Sequence, residues 1–261
     1  MSRYTAMFDR LGSEGAFVPF LMLGDPSYEA SLAIVDAVVA GGADALELGV
    51  PFSDPVADGP TIQAAHIRAL EAGATVEKSL QLVRAIREKY PDLPIGMLIY
   101  ANVAYVRGVE HFYREFAEAG ADSILLPDVP VREGGPFSKA ALDAGIDPIF
   151  IAPAKASKEV LEGVAKHSRG YIYAISRDGV TGGEREASVE GLKEVVDNIN
   201  SYGGAPVLLG FGISTPDHVR NAIAAGARGA ITGSAITKFI ERGDDLDSLE
   251  TFVRSMKEAT K

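Results

Sequence analysis

The sequence predicts an α/β fold, a single-domain (β/α)8 TIM barrel over residues 1–261. Short apolar segments of strand length alternate with amphipathic helical segments eight times along the 261 residues. This alternation indicates a parallel sheet covered by helices, and eight such units in about 250 residues are typical of a closed barrel. An open doubly wound sheet is the competing architecture. Because 47% of the residues are hydrophobic, the chain can bury one large core.

Four segments of the chain follow one plan, in which a helix ends in Ala-Gly, a turn follows, and an apolar strand begins. Glycine just past a helix is a common C-terminal stop, because it adopts the left-handed conformation without strain. The repetition supports eight similar strand–helix units. The four segments are 40–49, 119–128, 144–153 and 225–234.

The eight predicted strands lie near residues 17–23, 45–50, 95–100, 123–127, 148–152, 171–176, 206–211 and 229–233. Helical periodicity, with apolar residues three and four apart, is clear at 31–39 and 79–89. We expect extra helices at the N-terminus and after strands 2 and 8. The connections at 52–94 and 177–188 are longer than a minimal unit, and loops that follow strands face the active site of a barrel.

Composition narrows the class of protein. The net charge of -11 argues against nucleic acid and anionic membranes as partners. Since the chain has no cysteine, disulfides, thiolate nucleophiles and cysteine-based metal sites are excluded. The first eleven residues lack the long apolar segment of a signal peptide, so we expect a cytoplasmic protein. The four histidines are far apart without metal-ligand spacing and are expected to be structural or on the surface, so no metal site is predicted.

Two carboxylates near the second strand are the best candidates for acid–base chemistry. Glu47 lies inside the apolar run 45–50, and Asp58 follows on a loop bent by proline and glycine. Burial raises a carboxyl pKa, and two acids in different environments suit general acid–base catalysis. Each residue also has a structural interpretation. Glu47 can pair with a nearby cation, and Asp58 can help to start the helix predicted at 62–72.

Glycine-rich turns after strands 7 and 8 predict a phosphate site. Residues 209–214 read Leu-Gly-Phe-Gly-Ile-Ser, and a short helix predicted at 235–241 follows the Gly-Ser pair 233–234. In barrels this position often binds phosphate, because glycine lets the backbone approach and the helix start presents free N–H groups. The alternative is a set of tight turns that only require glycine. Gly182, in the long connection, could add an amide donor.

With these motifs in view, the chain resembles the tryptophan synthase alpha subunit family from end to end. That family cleaves indole-3-glycerol phosphate to indole and glyceraldehyde 3-phosphate, a retro-aldol reaction of L-tryptophan biosynthesis. The resemblance therefore implies a carbon–carbon lyase. The motifs that carry it are 17–26, 46–63, 100–102, 127–130, 173–182, 210–212 and 233–234, and the second of these is the most specific.

The resemblance also implies roles for individual residues. Glu47 corresponds to the catalytic acid, and Asp58 to the carboxylate that accepts a hydrogen bond from the indole N–H. Tyr173 corresponds to a tyrosine beside the glycerol moiety, and Phe20 to an aromatic wall of the indole pocket. Thr181 corresponds to a loop residue that closes toward the aspartate. The residues that correspond to the phosphate cradle are Gly182, Gly212, Gly233 and Ser234.

The resemblance implies no cofactor in this subunit and a pyridoxal phosphate-dependent beta subunit as partner, in an alpha2-beta2 heterotetramer that passes on indole. Residues expected to face that partner are Pro51, Phe52, Asp54 and Asn102. Three alternatives remain: a lyase that works alone, a barrel retained as an allosteric binding subunit, and another phosphate-sugar enzyme such as an isomerase. Schiff-base chemistry would need a lysine at a strand end, for which Lys155 is the candidate.

Overall fold

The computed structural model describes residues 1–175 and 191–261 and contains one parallel sheet surrounded by helices. The strands are β1 Ala16–Met22, β2 Leu46–Gly49, β3 Ile95–Leu98, β4 Ser123–Leu125, β5 Asp147–Ile149, β6 Ile151–Pro153, β7 Ile172–Ile175, β8 Val207–Gly210 and β9 Gly229–Thr232. A 3-10 helix spans Val131–Glu133. The α-helices are α1 Arg3–Leu11, α2 Tyr28–Ala40, α3 Pro60–Glu71, α4 Val76–Lys89, α5 Ala101–Arg107, α6 Val109–Ala119, α7 Gly135–Asp143, α8 Lys158–His167, α9 Leu192–Ser201, α10 Pro216–Ala224, α11 Ser234–Arg242 and α12 Leu246–Glu258.

The barrel closes through the fifth predicted strand, which the structure divides in two. The sheet order is β5-β4-β3-β2-β1-β9-β8-β7-β6, so its two edges are consecutive in the chain. Phe150 joins them, and its carbonyl oxygen accepts a hydrogen bond from the Tyr173 N–H at 3.2 Å. The predicted strand 148–152 was therefore wrong as one continuous element, because its first half pairs with β4 and its second half with β7. The closed arrangement excludes the open doubly wound sheet.

Local sequence signals explain where many of the helices begin. Ser27, Thr75 and Ser157 each accept a hydrogen bond from a backbone N–H of the following first turn, in α2, α4 and α8. The helices expected at the N-terminus and after strands 2 and 8 are present as α1, α3 with α4, and α11 with α12. Helix α5 after β3 was not predicted. It has only seven residues, and the Asp128 carboxylate accepts from the Ala101 N–H at its start.

Buried side chains form two clusters on the two faces of the sheet. The larger one lies between the strands and the surrounding helices. The smaller one fills the barrel interior, where Val18 and Phe20 of β1, Tyr173 of β7, Leu208 of β8 and Ile231 of β9 meet. The alternation of faces along each strand produces this division. It places Glu47, which pairs in register with Phe20, on the interior face.

Two interior glycines make space for aromatic rings. A β-carbon on Gly49 would lie 2.8 Å from the Phe20 ring, and one on Gly210 would lie 2.1 Å from the Tyr173 phenol. Such contacts are shorter than packed side chains allow, so a larger residue at either position would displace the ring. The strand glycines therefore determine where the cavity walls stand.

Helix α1 closes the bottom of the barrel. Tyr4 is 1% exposed, its hydroxyl is hydrogen-bonded to Ser123 Oγ at 2.8 Å, and its ring lies 5.3 Å from that of Tyr171. A β-carbon on Gly96 would come within 2.9 Å of the Tyr4 hydroxyl. The absence of a side chain at Gly96 therefore leaves room for the phenol. Among the described residues, no helix is both long and apolar enough to cross a membrane.

Candidate active site

One cavity of about 770 Å³ opens at the carboxyl ends of the strands, where barrel enzymes bind their substrates. The predicted site residues in the described part of the chain line it together: Phe20, Glu47, Asp58, Tyr173, Gly212, Gly233 and Ser234. Thr181 and Gly182 lie outside the described residues. Lys155 is exposed and is absent from the described lining, which removes the support for Schiff-base chemistry at that position.

Glu47 is buried in the barrel interior and is 1% exposed. Burial and the nearby Asp58 charge raise the pKa of its carboxyl, and a hydrogen bond from the Tyr171 hydroxyl to Oε1 at 3.0 Å opposes the rise; together they bring the pKa to about 8. The salt-bridge interpretation of Glu47 has no support, because no lysine or arginine pairs with it in the described residues. At neutral pH this side chain is a carboxylic acid that can donate a proton.

Asp58 lines the same cavity in a polar environment. Its Oδ2 accepts a hydrogen bond from the Tyr100 hydroxyl at 2.7 Å and lies 3.2 Å from His66 Nε2. Gly59 is the N-cap residue of α3, so Asp58 immediately precedes the helix cap and does not form it. Its backbone still contributes locally, since the Gln63 amide donates to the Asp58 carbonyl oxygen at 2.7 Å.

Two residues that hold Asp58 were missed by the sequence reasoning. Tyr100 is 1% exposed, accepts from the Ala57 N–H at 3.0 Å, and donates to Asp58. Burial and the neighbouring Asp58 raise the pKa of its phenol, so it remains a donor. His66 is 2% exposed, and its Nδ1 accepts from the Phe52 N–H at 3.0 Å. Of the two expected possibilities for the histidines, His66 is therefore structural rather than on the surface. The eight-residue spacing from Asp58 to His66 spans a turn and α3, so no motif signalled the contact.

The predicted phosphate side is built from backbone. Ser234 is the first residue of the nine-residue helix α11, and Gly233 precedes it as N-cap residue, so free N–H groups of the first turn are available to an anion. At the end of β8, Phe211 and Gly212 have φ values of 64° and 75°. Glycine adopts that region readily, whereas phenylalanine is strained there, and its ring packs edge-on against Tyr173 at 6.2 Å.

Positive charge is sparse around this cavity. Of the described lining residues, Arg132 and Lys238 are the cationic ones, and both are exposed. Lys238 lies one turn after Ser234 in α11, on the phosphate side, and sequence reasoning did not single it out. The described residues contain no group of three or more acids and histidines that could hold a metal ion.

The cavity walls are mainly apolar. Phe20 and Tyr173 are each 5% exposed and line the cavity with aliphatic side chains. Burial raises the pKa of the Tyr173 phenol, and the neighbouring carboxyl groups of Glu47 and Asp58 raise it further, so the phenol stays protonated. The aliphatic lining includes Ile62, Leu98, Leu125, Ile151 and Ile231. These walls suit a flat apolar ring between the two acids.

The residues expected to face a partner differ in exposure. Pro51 is buried in the isolated chain, Phe52 is half-buried, and Asp54 and Asn102 are exposed. The Phe52 ring stacks on Tyr100 at 5.3 Å, and Asp54 accepts from the Ser53 hydroxyl at 2.5 Å. Asn102 lies in α5, whose Tyr105 and Val106 are 66% and 86% exposed.

The closed barrel, with two acids in a cavity at the carboxyl ends of its strands, places the chain in the class of (β/α)8-barrel enzymes. A family model described as tryptophan synthase alpha chain matches residues 8–261. The chain belongs to that family.

Relatives support this membership along the whole chain. The tryptophan synthase alpha chain of Corynebacterium diphtheriae is 66% identical over 278 aligned positions that cover all of both chains. A structure from Aquifex aeolicus superposes with a TM-score of 0.92 at 32% identity, covering all of both chains. The tryptophan synthase of M. tuberculosis in its aminoacrylate-bound form gives a TM-score of 0.88 at 29% identity, with the same coverage.

Membership fixes the reaction class. An alpha chain of tryptophan synthase is a carbon–carbon lyase that cleaves indole-3-glycerol phosphate in tryptophan biosynthesis. It needs no cofactor of its own, because pyridoxal phosphate is carried by the beta subunit. The binding-subunit and isomerase alternatives are therefore superseded by the family assignment.

Proposed function

We propose that this chain cleaves indole-3-glycerol phosphate with Glu47 as proton donor and Asp58 as the carboxylate opposite it. The observation that carries the proposal is the raised pKa of Glu47, about 8, in the same cavity as an aspartate that two donors contact. A carboxyl group that is neutral at pH 7 can act as an acid, whereas an ordinary glutamate is already ionised.

The first step is protonation of indole carbon 3 by the Glu47 carboxyl. This leaves the ring as an iminium-like cation, with positive charge shared by the ring nitrogen. The Asp58 carboxylate accepts the hydrogen bond of the indole N–H and stabilises that charge. Because Tyr100 holds the carboxylate in place before the reaction, little reorganisation is needed when charge develops.

The second step breaks the bond between carbon 3 and the glycerol carbon. The electron pair of that bond returns to the indole ring and neutralises the cation. The hydroxyl group on that glycerol carbon loses its proton as its oxygen becomes the aldehyde oxygen. Glu47, now a carboxylate in a buried site beside Asp58, is a strong enough base to take that proton. The acid is regenerated, and no proton is exchanged with solvent.

Binding of the substrate phosphate orients the glycerol chain toward Glu47. We assign this role to the backbone at Gly212 and Gly233 and to Ser234 at the start of α11, with Tyr173 beside the glycerol moiety and Phe20 against the indole ring. All of them line the cavity. The resemblance alone supports Gly182 as a further phosphate contact and Thr181 as a residue that closes toward Asp58.

The indole product passes to a pyridoxal phosphate-dependent beta subunit in an alpha2-beta2 assembly. Pro51, Phe52, Asp54 and Asn102 would face that partner, and the exposed apolar residues of α5 are consistent with a contact there. The chain would act as one cytoplasmic domain. The lyase that works without a partner remains the second candidate, and titration with the beta subunit separates the two.

Indole release from indole-3-glycerol phosphate tests the proposal. The chain contains no tryptophan, so product fluorescence has little background from this subunit. Purified wild-type chain should release indole, release should rise when a beta subunit is added, and Glu47→Gln should release almost none in either series. Unchanged release by Glu47→Gln would contradict the assignment of the acid. Wild-type release that ignores the beta subunit would favour the stand-alone lyase.

A further inference from the structure

The segment at 51–57 that follows β2 is connected to Asp58 through one buried side chain, His66. The Phe52 N–H donates to His66 Nδ1 at 3.0 Å, and the other ring nitrogen lies 3.2 Å from Asp58 Oδ2. His66 is 2% exposed, so water does not compete strongly for either contact. A neutral imidazole has one donor and one acceptor, and these two neighbours require one of each.

The hydrogen-bond partners fix the tautomer of the ring. An amide N–H can only donate, so Nδ1 carries the lone pair and the proton is on Nε2. Nε2–H then donates to the Asp58 carboxylate. If the Phe52 backbone moved away, its N–H would no longer donate to Nδ1. The imidazole could then change tautomer or rotate. The position of Phe52 therefore affects how Asp58 is held.

A second connection runs in parallel through aromatic rings. Phe52 stacks on Tyr100 with ring centroids 5.3 Å apart and an angle of 22° between planes, and the Tyr100 hydroxyl donates to the same Asp58 oxygen. Both routes begin at Phe52 and end at Oδ2. The flanking positions Asp54 and Val56 are exposed, the latter by 73%, so a docking protein can reach this segment.

We propose that His66 is a positioning residue that couples docking of the beta subunit on the segment 51–57 to the orientation of the Asp58 carboxylate. The proposal rests on the proposed roles of Asp58 and of that segment. His66 does not touch the substrate in this scheme. It acts through the Nε2–H donor on one side and the Nδ1 acceptor on the other, and each side has a separate consequence.

Two substitutions separate the two sides of the ring. His66→Gln can keep a donor near the Nε2 position but loses the Nδ1 acceptor, whereas His66→Asn can keep an acceptor near Nδ1 but loses the donor to Asp58. Loss of a hydrogen bond to a charged group corresponds to about a tenfold change. We expect His66→Asn to lower kcat about tenfold, with KM within about twofold, in the isolated chain and in the complex.

His66→Gln should behave differently. Its kcat in the isolated chain should stay within about threefold of wild type, while the increase in kcat produced by the beta subunit falls by about tenfold, since typical coupling factors are of that order. Nitrogen NMR of the wild-type imidazole should report an unprotonated Nδ1 and a protonated Nε2. His111→Gln, an exposed histidine in α6, serves as the matched control and should leave turnover and activation unchanged.

The outcomes distinguish this proposal from the proposed function. If Asp58→Asn is as active as wild type, the role of Asp58 fails, and the role of His66 fails with it. If Asp58→Asn is impaired but both His66 variants have wild-type turnover and activation, only the His66 proposal is overturned. Equal losses in both variants, with a lowered melting temperature and raised KM, would show a merely structural histidine and would also overturn it. Different losses in the two variants, as described above, support it.

Discussion

The two ends of the cavity differ in the groups that they offer for the proposed roles. At one end, Glu47 and Asp58 are almost fully buried, and each carboxyl group accepts a hydrogen bond from a buried phenol, Tyr171 for Glu47 and Tyr100 for Asp58. At the other, Gly212 and Gly233 offer backbone groups, and the lining lysine Lys238 is exposed. Proton transfer depends on a pKa that burial controls, whereas a phosphate can be held by amide N–H groups that remain accessible. Substitutions at the two ends should therefore change different kinetic constants.

The largest effect is expected at Glu47. Glu47→Gln keeps the shape and a hydrogen-bond acceptor for Tyr171 but removes the acid, so kcat should fall about 10³-fold, within the usual range for a general acid. KM should change little. Steady-state indole release measures both constants. A large increase in KM with an unchanged kcat would show that Glu47 contributes to substrate binding rather than to proton transfer. The two ends of the cavity would then not differ in the kinetic constant that they control.

Asp58→Asn should lower kcat about 10²-fold, because the neutral amide no longer stabilises the cation that develops on indole. The fold should persist, since Gly59 rather than Asp58 is the N-cap residue of α3. The measurement is kcat together with the melting temperature. A variant that loses stability but keeps its turnover per folded molecule would return Asp58 to a structural role.

The pKa of Glu47, about 8, determines in which direction activity and stability change with pH. The acid form is lost above that pH, so kcat/KM should fall about tenfold per pH unit there. The folded state also binds this proton more tightly than the unfolded state does. The stability contribution is full below the ordinary pKa of 4.5 and is lost as the pH rises through about 8. Urea unfolding at several pH values should show a steeper loss of stability between pH 4.5 and about 8 in wild type than in Glu47→Gln, and identical slopes would argue against a neutral Glu47.

Two alanine substitutions sharpen the picture of the phosphate end. Gly212 has a φ of 75°, so Gly212→Ala adds strain of about 1–2 kcal/mol and should raise KM about tenfold. At Gly233 a β-carbon would meet the Phe20 ring at an ordinary 3.4 Å, and Gly233→Ala should raise KM only a few-fold. The dissociation constant of a non-cleavable phosphate analogue should rise more in Gly212→Ala than in Gly233→Ala. Equal effects at both positions would show that backbone geometry does not control this site.

The smallest effect is expected for the exposed cation. Lys238→Gln should raise KM about threefold at low salt and have no effect at high salt, because exposed charges are screened. Lys193→Gln, an exposed lysine in α9 whose partner is Asp197, is the control. A loss of kcat in Lys238→Gln, or an effect that persists in high salt, would give this lysine a direct role in the reaction.

The barrel could be predicted from sequence because its signals are local and repeated. Apolar runs of strand length, glycine after helices and capping residues such as Ser27 and Thr75 each depend on a few neighbouring residues. The break at Phe150 could not be predicted, since it depends on which edges of the sheet meet. Helix α5 was missed for a similar reason, because Asp128, 27 residues further along, holds its first N–H.

In the candidate site too, features with a local sequence signal were predicted, and features that depend on contacts between separate elements were not. Glu47 and the glycine turns were found because an acid in an apolar run and glycine after strands 7 and 8 are unusual locally. Two supports of the acids are far away in sequence, since Tyr171 is separated from Glu47 by 124 positions and Tyr100 from Asp58 by 42. Such contacts exist only after the barrel has closed. Sequence reasoning therefore identified the candidate reacting groups better than the residues that tune them.

The contact of Tyr4 with Ser123 and Tyr171 gives the N-terminal helix a distant influence. The raised pKa of Glu47 depends on the exclusion of water from the barrel interior. Helix α1 covers the end of the barrel opposite the cavity and keeps water out on that side. Removal of α1 would expose this end of the barrel interior to water and should lower the pKa of the Glu47 carboxyl toward that of a free glutamate. Such a truncated chain would keep the residues that line the cavity and still lose the proton that the reaction uses.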